Sequence, residues 1–295
     1  MEDYEPVCTA DEARKIDELR ASVLERLGRD QVEPIAAPLF TRESLLRFAR
    51  ARPNIAASAK MLIESIKWRK EFDLDAKLRA WESDHSPEAE RLRAAWLCKV
   101  HGTDNRGCPV YYAAYGKMDM AALVKDAGMD RLIAISLADQ REIEQGLLRA
   151  ARASGRHPVQ VVCVADFDGM QWGRASRAVK PFLAMQKLLD HHFPERLHVG
   201  VVCRAPRIFS AIYKMASPFL AADTKEKVRL CGRSDDHTKV LRSLIPDENI
   251  PQLLGGSSTC KLGGIPAKDG EEDGSEHHET DVADVQPTPN QVDVM

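Results

Sequence analysis

The 295-residue chain has no run of 18 apolar residues, so no segment reads as a membrane-spanning helix. Its first residues, MEDYEPVCTADEARKIDEL, are acidic and lack the apolar core of a signal peptide, which points to a cytosolic protein. No C-x-x-C pair occurs among Cys8, Cys98, Cys108, Cys163, Cys203, Cys231 and Cys260, and their number is odd. They read as reduced thiols, with Cys163 and Cys203 acting as small core residues inside apolar runs. The phosphate-cradling patterns G-x-G-x-x-G and G-x-x-x-x-G-K-[ST] are missing, and so is the nucleophile pattern G-x-S-x-G. Nucleotide binding and α/β-hydrolase chemistry therefore lose their usual signals. DFDG at 166–169 has no accompanying lysine strand or catalytic loop and reads as a turn closing a strand. His191, His192 and His198 have no cysteine or carboxylate at zinc spacing, and His277 and His278 sit in a polar tail, so a structural or solvated role is expected for all five. Nothing prepares a nucleophile, and no metal is expected. The chain reads as a container rather than an enzyme.

What is present suits a folded protein. Hydrophobic residues make up 44% and charged residues 29%, enough for a sizeable core. The net charge of -3 is unevenly spread: residues 261–295 hold nine acids against Lys261 and Lys268, about -7, which leaves about +4 on the rest. A mildly basic body with an acidic tail does not fit a nucleic-acid binder and is compatible with visits to an anionic membrane surface.

Apolar periodicity gives the organisation. Helical spacing covers 11–27, 41–51 with Thr41 as N-cap, and about 54–72, so the region to about Ala95 reads as a helical head. From 96 the pattern alternates. Strand-like segments at 97–100, 110–115, 158–166, 197–203 and 227–232 are interleaved with helical ones at 119–127, 129–153, 175–191, 207–216 and 236–244. That alternation predicts an α/β lobe over 96–260 with a mixed, mostly parallel sheet and flanking helices. Residues 261–295, rich in Gly, Glu, Asp and Pro, read as a disordered tail.

Several segments taken together resemble the CRAL-TRIO lipid-binding family. LLRFARAR (45–52), SAKMLIESIKWRKEF (58–72), GTDNRGCPVYY (102–112), FPERLHVGVVCRAPRIF (193–209), SPFLAADTKEKVRLCG (217–232) and IPDENIPQLLGG (245–256) follow that family's order and approximate spacing. The subgroup most resembled is the phosphatidylinositol/phosphatidylcholine transfer proteins of the secretory pathway. The resemblance implies a β-sheet floor and a mobile gate helix over about 207–221, whose Ile208, Phe209, Ile212, Met215, Phe219 and Leu220 face lipid. It also implies headgroup residues Arg52, Glu195, Thr224 and Lys227. Lys227 and the Thr224 hydroxyl can donate to phosphate, Glu195 can accept from inositol hydroxyls, and Arg52 can pair with Glu195. Taken alone, Glu195 would be no more than the polar lip of a buried strand. The positions that hold choline in the family fall on Val100, Tyr111, Val161 and Cys163, where only Tyr111 keeps an aromatic ring. Phosphatidylcholine binding is thereby put in doubt.

The resemblance implies a monomeric, non-enzymatic carrier whose ligand is a phospholipid, phosphatidylinositol first, and whose partners are a transiently visited organelle membrane (Golgi or endosome) and a phosphoinositide kinase. A carrier of a tocopherol, retinoid or sterol-like ligand is the alternative, and a scaffold acting through the acidic tail is a more distant one.

Overall fold

A computed structural model describes residues 8–28, 39–154, 160–207, 209, 213–214, 225–232 and 237–263. Thr224, the gate residues Ile208, Ile212, Met215, Phe219 and Leu220, and the tail from 264 onward lie outside the described residues.

The helices begin where the sequence supplies an acceptor for an orphan N–H. Thr9, Thr41 and Asn54 cap α1 (Ala10–Leu27), α2 (Arg42–Arg50) and α3 (Ile55–Glu71), and after α4 (Leu74–Ser83) Ser86 caps α5 (Pro87–Ala95). Each capping side chain accepts from the backbone N–H three residues on. The apolar stripes of α1 to α3 (Ile16, Leu19 and Val23; Leu45 and Phe48; Ala59, Leu62 and Ile66) bury one another in a core of their own. α4 and α5 look elsewhere: Leu74 and Leu78 pack with Leu137, and Trp81, Ala89 and Leu92 join the core of the sheet lobe. The described helices up to Ala95 thus feed three buried clusters.

β1 (Cys98–Thr103) and β2 (Pro109–Ala113) form an antiparallel pair. Their turn is fixed by Asp104, whose Oδ1 accepts from the backbone N–H groups of Arg106 and Cys108 at 2.9 and 3.0 Å. α6 (Met120–Ala127) and α7 (Met129–Ser154) lead to β3 (Val161–Asp166), and α8 (Trp172–His192) leads to β4 (Leu197–Ala205). β5 (Val228–Gly232) and α9 (His237–Leu244) follow. The sheet order is β1-β2-β3-β4-β5, with parallel pairing from β2 onward, as the strand–helix alternation predicts. α8 starts at Trp172, three residues before the expected 175.

Strand alternation gives the sheet two unlike faces. On one, Tyr112, Val164, Val201 and Cys203 pack with Leu241, Ile245, Ile250 and Leu254, and the Tyr112 hydroxyl donates to the Asn249 carbonyl at 2.7 Å. Leu262, assigned to the tail by composition, is 1% exposed in this same core, so the ordered body runs past 260. On the other face, register places Tyr111 beside Cys163, Cys163 beside Gly200, and Ala165 beside Val202. That face bears the site.

Candidate ligand-binding cavity

The second sheet face is floored by short side chains. Cys163, Ala165 and Gly200 cannot fill the space that α7 and α8 leave above them, and a cavity of about 1150 Å³ results. Tyr111, Val161 and Val202 complete the floor, while Ser136, Gln140 and Ile143 of α7 and Ala178, Val179 and Phe182 of α8 form the walls. The volume exceeds that of an ordinary drug-sized site, and the lining is mainly apolar, as a long hydrocarbon ligand requires.

Charge enters at one end, by the amino termini of β4 and β5. Glu195 stands two residues before β4 and Lys227 directly before β5, whose position is pinned by the Gly200 N–H donating to the Lys227 carbonyl at 3.0 Å. Lys227 Nζ lies 3.3 Å from Glu195 Oε2, and both residues line the cavity, as does Arg52. The expected Arg52–Glu195 pair is absent: Arg52 is exposed, its Nη1 donates to the Ala51 carbonyl at 2.7 Å, and Lys227 takes its place beside Glu195. Glu195 has φ 55, a left-handed conformation that few non-glycine residues adopt and that often marks a ligand-holding turn. Thr224 lies outside the described residues. The Lys227–Glu195 pair supplies a cation for an anionic group and an acceptor for hydroxyls at one place.

Of the four positions read as a second-ligand pocket, Tyr111, Val161 and Cys163 line the cavity. Val100 does not. It faces Tyr111 across the β1–β2 ladder, but Cys108, Ile143, Leu147 and Val161 enclose it, because α7 covers that edge of the sheet.

Beside the cavity, where α7 meets Tyr111 of the floor, is a polar group that sequence reasoning missed. Asp139 of α7 accepts from Trp96 Nε1 at 2.9 Å and from the Tyr111 hydroxyl at 3.1 Å. Burial pushes its carboxyl up to about 7, against the pull of those two donors. Its signal was available: Leu132, Ile135, Ser136 and Ile143 mark the buried stripe of α7, and Asp139 falls on it at helical spacing. An acid whose folded pKa is raised stabilises the fold at low pH and loses that contribution as pH rises from near 4 through 7. Asp139→Asn is therefore expected to gain stability over wild type between pH 5 and 8, by up to about 4 kcal/mol, in denaturant titrations at the two pH values.

A second missed cluster lies behind the Glu195 turn. Glu144 of α7 accepts from Arg47 Nη2 at 3.1 and 3.2 Å and from Arg196, and its carboxyl is held down to about 2 by these two guanidiniums despite burial. Burial lowers both Arg196 and nearby Arg69 to about 10. Arg47 Nη1, Arg69 Nε, and Arg196 Nε and Nη1 have no hydrogen-bond partner. Two guanidiniums thus share one carboxylate, and a third, Arg69, feels its charge together with that of Asp75.

At the carboxyl ends of the strands, Arg204 (φ 53) grips Asp166 through Nε and Nη2 at 2.9 and 2.6 Å. Just beyond it Phe209, the one expected gate position among the described residues, is buried against Phe167 with ring centroids 4.5 Å apart. Gly116 keeps this end compact, since a Cβ there would meet the Asp168 carbonyl at 2.1 Å. The histidines have structural surroundings: His192 stacks on Trp68 at 3.9 Å and pairs with Ser65 Oγ at 3.0 Å, and burial lowers it to about 3. Among the described residues no group of three potential metal ligands occurs, and no helix is long and apolar enough to cross a membrane.

Residues 94–256 match the profile of the CRAL/TRIO domain. A CRAL-TRIO domain-containing protein of Caenorhabditis elegans is 31% identical over 229 residues, covering 75% of this chain and 31% of that protein. Protein real-time of Aedes aegypti is 31% identical over 233 residues, with coverages of 77% and 35%. SEC14 cytosolic factor of Kluyveromyces lactis is 28% identical over 217 residues, with coverages of 73% and 70%. The chain thus spans about a third of the length of the first two relatives. The crystal structure of Sfh5 superposes with a TM-score of 0.63 over 88% of this chain and 91% of that one at 14% identity, a likeness of fold.

Proposed function

Since this chain belongs to the CRAL/TRIO domain family, we propose that it is a lipid carrier that takes up phosphatidylinositol and exchanges it for a second lipid between membranes. The observation that carries the reading is the Lys227–Glu195 pair at one end of a large apolar cavity. A phosphodiester draws Lys227, inositol hydroxyls donate to Glu195, and the acyl chains run over the Cys163–Ala165–Gly200 floor. Each buried methylene is worth about 0.8 kcal/mol, so two acyl chains carry on the order of 20 kcal/mol of aversion to water. A cavity as apolar as a bilayer cancels that cost, and exchange needs no energy source. Presentation of the bound lipid to a phosphoinositide kinase belongs to the same proposal.

A second reading, a carrier of a tocopherol, retinoid or sterol-like molecule, is favoured by the apolar floor at Val161 and Cys163. Native mass spectrometry of the purified protein separates the two. A co-purified mass matching phosphatidylinositol is expected; a non-phospholipid mass alone favours the second reading and counts against the first.

A further inference from the structure

Among the described residues two large apolar side chains are exposed, Trp172 at 50% and Leu230 at 53%. Trp172 stands at the carboxyl ends of the parallel strands, where it opens α8 after the turn that follows β3, while Leu230 is the middle residue of the edge strand β5. The Lys227–Glu195 pair lies at the opposite, amino ends. Gln171 and Phe209, which follow the carboxyl ends of β3 and β4, line the cavity, so Trp172 flanks the end of the cavity away from the charged pair.

The flank of this end is basic. α8 carries Arg174, Arg177, Lys180 and Lys187 and no acid before Asp190. Arg174 turns inward and clamps the loop, donating to the carbonyls of Gly116 and Gly169 at 2.8 and 2.6 Å. Arg177, Lys180 and Lys187 are exposed, and Arg177 and Lys180 make no ion pair among the described residues. On a helical projection Lys180 falls within a quarter turn of Trp172, about two turns along α8, and Arg177 lies between them along the axis at about 140° from Trp172. An indole is at home at the boundary between headgroups and hydrocarbon, and unpaired cations beside it fit anionic headgroups.

We infer that the carboxyl end of the sheet is a membrane-docking surface, with Trp172 entering the interface of an anionic bilayer and Arg177 and Lys180 contacting its headgroups. The inference rests on the reading of the cavity as a lipid carrier and extends it, because it places the bilayer at the end of the cavity remote from the charged pair. The charge complementarity and the indole together favour a bilayer over a protein groove as occupant.

Trp172 is the exposed one of four tryptophans; Trp81 and Trp96 are buried and Trp68 is half-buried, so emission reports on it selectively. The full chain is mixed with vesicles of phosphatidylcholine alone and of phosphatidylcholine with phosphatidylserine. Co-sedimentation is expected with the anionic vesicles, with a blue shift that brominated acyl chains quench. Trp172→Phe removes the shift and quenching while keeping most binding. Trp172→Ala combined with Arg177→Glu and Lys180→Glu lowers co-sedimentation tenfold or more, with an unchanged thermal melt. Failure of the wild type to bind, an unquenched Trp172 in the bound protein, or undiminished binding of the folded triple variant overturns the inference. Lipid co-purifying with the triple variant is read separately, so failure of docking is distinguishable from failure of the cavity to hold lipid.

Discussion

Glu144→Ala is expected to cost about 3–5 kcal/mol of folding stability, the loss that follows from removing one partner of a buried ion pair. Glu144 is the shared acceptor of Arg47, 3% exposed, and Arg196, 10% exposed, with Arg69 close enough to feel its charge. Removing it leaves Arg47 and Arg196 without their shared countercharge and takes one of two nearby carboxylates from Arg69, and burial already works against ionisation of Arg196 and Arg69. For a chain of this size the loss corresponds to a fall in melting temperature of roughly 10 °C or more. Glu82→Ala is the control. Its partner Arg141 is 44% exposed and Glu82 itself 49%, so solvent screens the pair and the change should stay within about 1 kcal/mol. Equal losses from the two variants would contradict this account of the cluster. The pH dependence follows from the sign of the shift. The Glu144 carboxyl is depressed to about 2, so its contribution is complete above about 4.5 and is lost as pH falls toward 2.

Lys227→Ala is expected to reduce phosphatidylinositol transfer about tenfold to a hundredfold, the loss that follows from one charge-assisted hydrogen bond of about 1.5–3 kcal/mol. The residue is 27% exposed and its pair with Glu195 sits at a cavity rim, so folding should hardly change and the loss should be one of ligand binding. Glu195→Ala should likewise lose phosphatidylinositol while a second, less polar ligand is kept, because that ligand rests on the floor rather than on the charged pair. Lys227→Arg keeps the charge but not the point geometry of the ammonium, and partial activity is expected. Full transfer by a folded Lys227→Ala protein would remove the pair from the binding account.

The fold was largely legible. Unbroken β-branched runs such as VVCVAD mark strands covered on both faces, and the strand–helix rhythm predicts the parallel pairing observed from β2 onward. Thr41 was legible as a cap for the same reason, a side-chain oxygen ahead of an apolar stripe. α4 and α5 were not separable, because Trp81 and Leu92 turn to a core made of residues distant in the chain. The site was legible in parts. The P-E-R turn and Lys227 came from the family resemblance, and their meeting across 32 positions is a matter of β4 and β5 pairing in parallel. Period-two alternation tells which residues share a sheet face, but not which part of that face a helix will cover. For that reason Val100 and Cys163 looked alike in sequence, and only Cys163 reaches the cavity. Arg47 and Glu144 lie 97 positions apart, and nothing local in either helix announces the other.

In the proposed function the cavity carries phosphatidylinositol with its headgroup at Lys227 and Glu195. Transfer of radiolabelled phosphatidylinositol from donor to acceptor vesicles by the wild-type chain tests it most directly. The account predicts movement well above the spontaneous rate and proportional to protein added. A rate no different from that of vesicles alone would contradict it.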